Sequence, residues 1–364
     1  MNIDFANLKL AYMAHQEVFE KEISRVLSDA SYIMGPEIEK LEAELSKFTD
    51  AKHSISCSSG TDALLLAMMA LNIKPGDEII TTPFTFISTA ETMALLGAKP
   101  VFIDIDEETF NIDVNLIETK ITHKTKAIVP VSLFGQVADM DEINMIAEKY
   151  NLSVIEDAAQ SFGATYKGKR SCNLSLIACT SFFPAKPLGC FGDGGAVFTN
   201  NNALAKKIKS LRVHGQTQPY THKHIGLGAR LDNLQAAVLL IKLKSYNEAI
   251  NLRQAAAERY YKMLNSIIET PVVKNYNTSV WAQYSIRIPS RDLIKLKLKE
   301  QGIPTAVYYP KPLHLQKCFE YLGGKKDDFP VSEKTAKEII SLPINPYITE
   351  VEQEFIVEEL KKCL

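Results

Sequence analysis

The chain has 364 residues, 46% hydrophobic and 23% charged, the balance of a folded globular protein. That length exceeds one simple core and suits a large domain followed by a smaller one. A formal net charge of −2 excludes a global field that would draw the chain to nucleic acid or an acidic membrane, so an anionic ligand must be held by local groups.

Helical spacing runs through residues 16–48 and is interrupted in "YIMGPEIEKLEAEL", where Gly35-Pro36 restarts the helix. "HSISCSSGTDALLLAMMALNI" then reads as a short strand, a Ser/Gly turn and a long apolar helix. Strand-like "DEIITT", "PVFIDID", "KAIVPVSLF" and "LSVIEDAA" alternate with helix-like "FISTAETMALLG" and "MDEINMIAEKY". This is the rhythm of βα crossovers on a mostly parallel, buried sheet. "TSFFPAKPLGCFGDGGAVFTN", residues 180–200, reads as two strands around a loop, and "NALAKKIKSLRVHG" as a helix closed by Gly215. "RLDNLQAAVLLIKLKSYNEAINLRQAAAERYYKML" predicts a long helix leading out of the large domain. Beyond it, strand "WAQYSIRI", helix "DLIKLKLKEQG", strand "PTAVYY" and a final helix describe a small α+β domain. The expected fold is α/β, with a large domain over residues 1–245 and a small C-terminal domain over 246–364.

The six cysteines lack CxxC spacing, which argues against a zinc site or a disulfide framework. The start of the chain has no basic segment followed by an apolar block, and no apolar run approaches the ~20 residues of a membrane span. A soluble, cytoplasmic protein is expected.

Three short stretches could hold a ligand. Ser58-Ser59-Gly60-Thr61 joins a strand to a helix, where free backbone N–H groups and the helix dipole favour a phosphate. The plainer alternative is an N-cap that only satisfies the helix's first donors. Asp157 in "VIEDAAQSFG" closes a buried strand, at the edge where open α/β sheets place ligands. It reads either as a turn former or as the partner of a cationic ring nitrogen, with Gln160 in reach of an adjacent ring oxygen. Lys186 is either an exposed loop charge or an amine held rigidly for covalent attachment to a carbonyl. Ser181 and "GCFGDGG" favour the second reading, since glycines permit close approach of backbone to ligand. "GCFGDGG" leads into a strand, so it fails as a dinucleotide fingerprint. A phosphate cradle, a ring-nitrogen partner and an attachment lysine, in this order, are the equipment pyridoxal 5'-phosphate requires.

Nearly end to end, the chain resembles sugar aminotransferases of the DegT/DnrJ/EryC1/StrS family, built on the fold type I aminotransferase architecture. The likeness is carried by "YIMGPEIEKLE", "SSGTDAL", "PGDEIITTPFTFISTA", "AKPVFIDID", "VIEDAAQSFGA", "SFFPAKPLGCFGDGGAVFTN", "RLDNLQAA" and "PTAVYYPKPLHLQ". It implies that Lys186 is catalytic and attaches the cofactor, and that Asp157 pairs with the ring nitrogen. Gln160 would meet the ring hydroxyl, Gly60, Thr61 and Ser181 the phosphate, and Phe86 the ring face. It also implies a homodimer in which the partner supplies "GARLDN". Many relatives carry Asn two residues before the Arg of "RLD", where it reaches the partner's cofactor phosphate; here that position is Gly228, so either Asn233 or a water substitutes or this contact is absent. Arg230, Tyr308 and Tyr309 would meet the substrate.

The resemblance is greatest to enzymes that aminate C3 of UDP-linked 3-keto-N-acetylhexosamines or their uronic acids, in cell-envelope glycan or lipid A sugar biosynthesis. Glutamate would be the donor, 2-oxoglutarate the product, and the pyridoxamine phosphate (PMP) form an intermediate state of the cofactor. A neutral C6 is favoured over a carboxylate because Tyr308 and Gly228 replace a His and an Asn found in relatives that act on the acid. Alternatives are C4 amination of a UDP-4-keto-6-deoxy sugar and a non-catalytic sensor or scaffold on the same fold. Dehydratases of the family carry His in place of the lysine, which Lys186 argues against.

Overall fold

The computed structural model describes residues 3–364. Seven strands build the main sheet: β1 (His53–Cys57), β2 (Glu78–Thr81), β3 (Lys99–Phe102), β4 (Thr125–Ile128), β5 (Ser153–Asp157), β6 (Ile177–Ser181) and β7 (Gly195–Thr199). They lie in the order β1-β7-β6-β5-β4-β2-β3. β6, β5, β4, β2 and β3 pair in parallel, whereas β7 is antiparallel to both neighbours, β6 and β1. β7 alone is therefore reversed, and the other six strands end at one edge. The parallel strands are apolar runs because helices cover both faces. Helices Gly60–Ala70 and Asn202–Leu211 seal one face around Ile55, Leu64, Ile155 and Ile208. Helices Pro36–Thr49 and Asn233–Lys244 seal the other around Leu41, Phe182, Phe198 and Leu239.

The Gly35-Pro36 restart is observed: helix Gln16–Asp29 stops, and Pro36 opens the next helix at its first turn. The long pattern after Arg230 divides into helices Asn233–Lys244 and Tyr246–Leu264, which meet at Ser245. The second packs against Glu350–Cys363, above a separate core formed by Tyr260, Ile286, Leu298, Ile340 and Ile356. That core contains one antiparallel pair, β8 (Tyr284–Arg287) and β9 (Ile339–Leu342). "PTAVYY" is not a strand of this pair. Only Ala306 bridges, donating to and accepting from Ser341 of β9 at 3.2 and 2.8 Å. The helix ending in "RVHG" stops at Leu211, and Gly215 occupies the left-handed turn beyond it.

One carboxylate ties the main sheet to the C-terminal part. Asp104, just after β3, is 7% exposed and caps helix Pro330–Glu338 from outside that helix. It accepts from the Val331 and Ser332 amides, each at 2.9 Å, and from the Ser332 hydroxyl at 2.6 Å. Asp104→Ala leaves those donors unpaired and should lower unfolding free energy by about 2 kcal/mol. Asp104→Asn, which keeps acceptor oxygens, should lose less; urea denaturation of both variants checks the ranking.

Candidate active site

The edge where β1, β5 and β6 end gathers most of the residues singled out above. After β1, Ser59 caps helix Gly60–Ala70 by accepting from the Asp62 amide at 3.0 Å, so the helix begins at Gly60. A Cβ built on Gly60 would lie 2.7 Å from Ser181 Cβ at the end of β6. Only glycine allows that approach. Gly195, the first residue of β7, is excluded from bearing a side chain by the Ser59 carbonyl carbon at 2.5 Å and the Gly60 amide at 2.7 Å. Thr61 Oγ1 lies 2.8 Å from Ser88 Oγ, so the hydroxyls of two helix starts meet. Hydroxyls and free amide donors at a helix N-terminus suit a phosphate group.

Asp157 ends β5 and is 4% exposed. Its Oδ2 accepts from Thr89 Oγ1 at 2.8 Å, and its Oδ1 from the Ala159 amide at 3.2 Å. Burial pushes its carboxyl above the usual range, while Thr89, Ala159 and the charge of Lys186 oppose that rise. Lys186 sits in the β6–β7 loop, its amide donating to the Phe183 carbonyl at 2.8 Å. Burial holds its amine below the ordinary value, with Asp157 opposing. The loop is tight: Phe182 donates to Gly194, Cys190 donates to Phe182, and a Cβ on Gly189 would meet the Phe183 carbonyl oxygen at 2.7 Å. That is why so much glycine and proline surrounds one lysine. An amine with a lowered proton affinity, facing a buried carboxylate, fits a cofactor that must be attached through a carbonyl and held by a cationic ring nitrogen.

Gln160 accepts from the Phe134 amide at 2.9 Å and donates to the Tyr309 hydroxyl at 3.2 Å. Tyr309 is ringed by aromatics, its centroid 6.1 Å from Phe84, 6.3 Å from Phe86 and 5.9 Å from Tyr308. Phe84 is fully buried, whereas Phe86 is 55% exposed beside the site. Burial raises the Tyr309 phenol well above its ordinary value, so it stays a neutral hydrogen-bonding group.

Two expected residues stand apart. Asn233 is fully buried, accepts from the Gly35 amide, and donates to the Ser31 carbonyl and the Glu37 carboxylate. Both its amide protons are engaged by the N-terminal segment, so within one chain Asn233 acts as a structural tie. Arg230 has no ion-pair partner among the described residues; its Nη2 is 3.8 Å from where a Cβ on Gly228 would stand, with the His214 imidazole on the other side at 3.1 Å. Thr89 and Ser88 escaped the sequence reading. Their only signal is a run of buried hydroxyls, Thr85 just before helix Ser88–Leu95 and Ser88, Thr89 and Thr92 within it.

Residues 14–361 match the model of the DegT/DnrJ/EryC1/StrS aminotransferase family. The chain belongs to that family. It is 52% identical over 347 residues to the UDP-2-acetamido-2-deoxy-3-oxo-D-glucuronate aminotransferase of Pseudomonas aeruginosa, covering 95% of this chain and 96% of that one. A Geobacillus stearothermophilus protein named a pleiotropic regulatory protein is 44% identical, covering 99% and 98%. The UDP-N-acetyl-3-dehydro-alpha-D-glucosamine 3-aminotransferase of Acidithiobacillus ferrooxidans is 40% identical, covering 94% and 92%. The crystal structure of S. venezuelae DesV in complex with a ketimine intermediate superposes with a TM-score of 0.97 at 36% identity, covering 99% and 98%. The family member described here is thus a pyridoxal phosphate-dependent sugar aminotransferase with the fold type I architecture.

Gly60→Ala should weaken retention of pyridoxal phosphate by about tenfold or more, because the cradle cannot close over an added methyl. Titration of the apoprotein by visible absorbance checks this. Glu156 gives a pH prediction. It is fully buried on the opposite face of β5 from Asp157, accepts from Ser171 and the Cys172 amide, and burial pushes its carboxyl to about 7. A folded-state value raised above the unfolded one favours the fold at pH 4, and that contribution is lost as pH rises through 7. Glu156→Gln, which mimics the protonated acid, should gain on the order of 2–3 kcal/mol over wild type at pH 8 and little at pH 4. Urea unfolding at both pH values tests it.

Proposed function

We propose that the enzyme transfers an amino group from glutamate to C3 of a UDP-linked 3-keto-2-acetamido sugar, in cell-envelope sugar biosynthesis in the cytoplasm. The observation that carries the reaction is the buried Asp157 carboxylate at the end of β5, with the half-buried Lys186 of the β6–β7 loop within its field. Support for C3 comes from the two relatives named for 3-oxo and 3-dehydro UDP-sugars. When bound, the cofactor supplies an electron sink for the pair released as a C–H bond breaks. Asp157 would pair with its ring nitrogen and keep that nitrogen protonated. Gly60, Thr61 and Ser181 would hold its phosphate, Gln160 its ring hydroxyl, and Phe86 would cover the ring. Lys186 would take the proton from the donor's α-carbon and deliver one to C3 of the sugar, fixing the new stereocentre. Its lowered proton affinity makes the amine a readier base than an ordinary lysine.

A homodimer is the second element of the proposal. Phe86, Phe183 and Phe191 are 55, 52 and 38% exposed around the site, and Tyr32, Ile33 and Met34 are 40–49% exposed nearby in sequence to the Asn233 tie. A second copy would cover them and present Arg230 to its neighbour's site.

At C6, Tyr308 favours a neutral hydroxymethyl by placing a phenol where relatives acting on the acid have a cation. The contrary reading, a C6 carboxylate, rests on the unpaired guanidinium of Arg230 and on the 52% identical glucuronate enzyme.

Lys186→Ala should abolish turnover and the visible band of the attached cofactor while leaving the fold intact by circular dichroism; wild-type turnover would refute the assignment. The kcat/KM values for UDP-3-amino-GlcNAc and its C6 carboxylate analogue, run with 2-oxoglutarate, decide C6. A charge-assisted hydrogen bond to the carboxylate is worth ~1.5–3 kcal/mol, about ten- to a hundredfold. Activity on a 4-amino sugar alone would overturn C3. Mixing Lys186→Ala with Arg230→Ala subunits should restore activity if Arg230 crosses the interface, with subunit exchange verified by differential tags.

A further inference from the structure

A cavity of about 70 Å3 lies behind the Lys186 loop and is walled by Pro184–Gly189, His15, Lys242, Ser245, Arg253 and Tyr347. Lys186 is among its lining residues and Asp157 is not. No aspartate or glutamate lines it either. Arg253 is 6% exposed; its Nη1 donates to the Trp281 and Ile344 carbonyls at 3.0 and 3.2 Å, and its Nε has no partner. Lys242 Nζ donates to the Gly189 carbonyl at 2.6 Å and sits 4.9 Å from the centre of the Phe191 ring. His15 Nε2 lies 3.4 Å from Ser245 Oγ.

Arg253 is thus buried and Lys242 half-buried, and carbonyls and one aromatic face are their partners, with no carboxylate beside them. Carbonyl dipoles satisfy their protons but do not neutralise their charge, and unpaired buried charge is costly. The strain shows in both groups, with burial drawing Arg253 down to about 10 and Lys242 down to about 8. A water needs about 10–15 Å3 of such space, so the cavity has room for something several times larger. A guanidinium fork, an ammonium and an imidazole on separate walls can meet several oxygens at once, which a single spherical ion cannot offer.

We propose that this cavity binds a tetrahedral oxyanion, phosphate or sulfate, between His15, Lys242 and Arg253. The ion supplies the missing counter-charge. Through Lys242 and the Gly189 carbonyl it also braces the loop that carries Lys186.

The test uses enzyme loaded with pyridoxal phosphate, so that the cofactor's own phosphate cradle is filled. Calorimetric titration with sodium phosphate and with sodium sulfate, at ionic strength matched by sodium chloride, should give saturable binding at one site per chain. Lys242→Met keeps the apolar stem and should weaken that binding at least tenfold, whereas Arg230→Ala should leave it unchanged. His15→Phe, which removes no backbone tie, provides a second variant should Lys242→Met fail to fold, and it too should weaken binding. Binding of one oxyanion but not the other identifies which ion the cavity takes. Absence of saturable binding overturns the proposal. So does undiminished affinity in the folded Lys242→Met or His15→Phe protein, which would place the ion elsewhere.

Discussion

Setting a half-buried amine within the field of a buried carboxylate is the constraint on which the rest of this structure depends. Burial shifts Lys186 and Asp157 each toward neutrality, and the charge of each opposes the other's shift. Such a pair survives only if its surroundings are rigid, because water entering the gap would restore ordinary proton affinities. The parallel sheet supplies the rigidity: β5 delivers Asp157 and β6 delivers the Lys186 loop in adjacent register, with Asp157 opposite Cys179. Thr89 and the Ala159 amide then fix the carboxylate's orientation from the helix and turn beyond.

The glycines serve a different purpose from the charges. Gly60 and Gly195 are places where three backbone segments, from β1, β6 and β7, converge more closely than any side chain permits. Their role is to remove atoms. A phosphate can be gripped by a helix start only if the neighbouring strand comes near without filling the space, and this geometry meets that condition. Aromatic packing around Tyr309 then links the site to the C-terminal part, since Phe84 and Gln160 both touch that ring or its hydroxyl.

Much of this was legible in the sequence, and the exceptions share a cause. Asp157, Ser181 and Lys186 were readable because each sits in a local strand-end pattern that the chain displays within a few residues. Thr89 was not, because it lies in a helix whose acceptor, Asp157, is on a strand far along the chain, and nothing adjacent marks it. The tie made by Asn233 was hidden for the same reason: its partners, Ser31, Gly35 and Glu37, are remote in sequence. "PTAVYY" has the branched and aromatic composition of a strand, yet composition does not supply a neighbour, and only Ala306 finds one. The long helix after Arg230 showed continuous periodicity, which cannot reveal that packing on two different cores breaks it at Ser245.

The reversed strand β7 has a consequence for how the molecule comes into being. In the sheet it lies between β1 and β6, although in the chain it follows both. Until residues 195–199 emerge during synthesis, β1 has no strand to pair with, and the sheet has a gap where Gly60 must meet Ser181. Contacts so distant along the chain form late, because the loop entropy must be overcome first. A cradle between Gly60 and Ser181 is complete only when β7 is in place, since Gly195 at its start closes against Ser59 and Gly60.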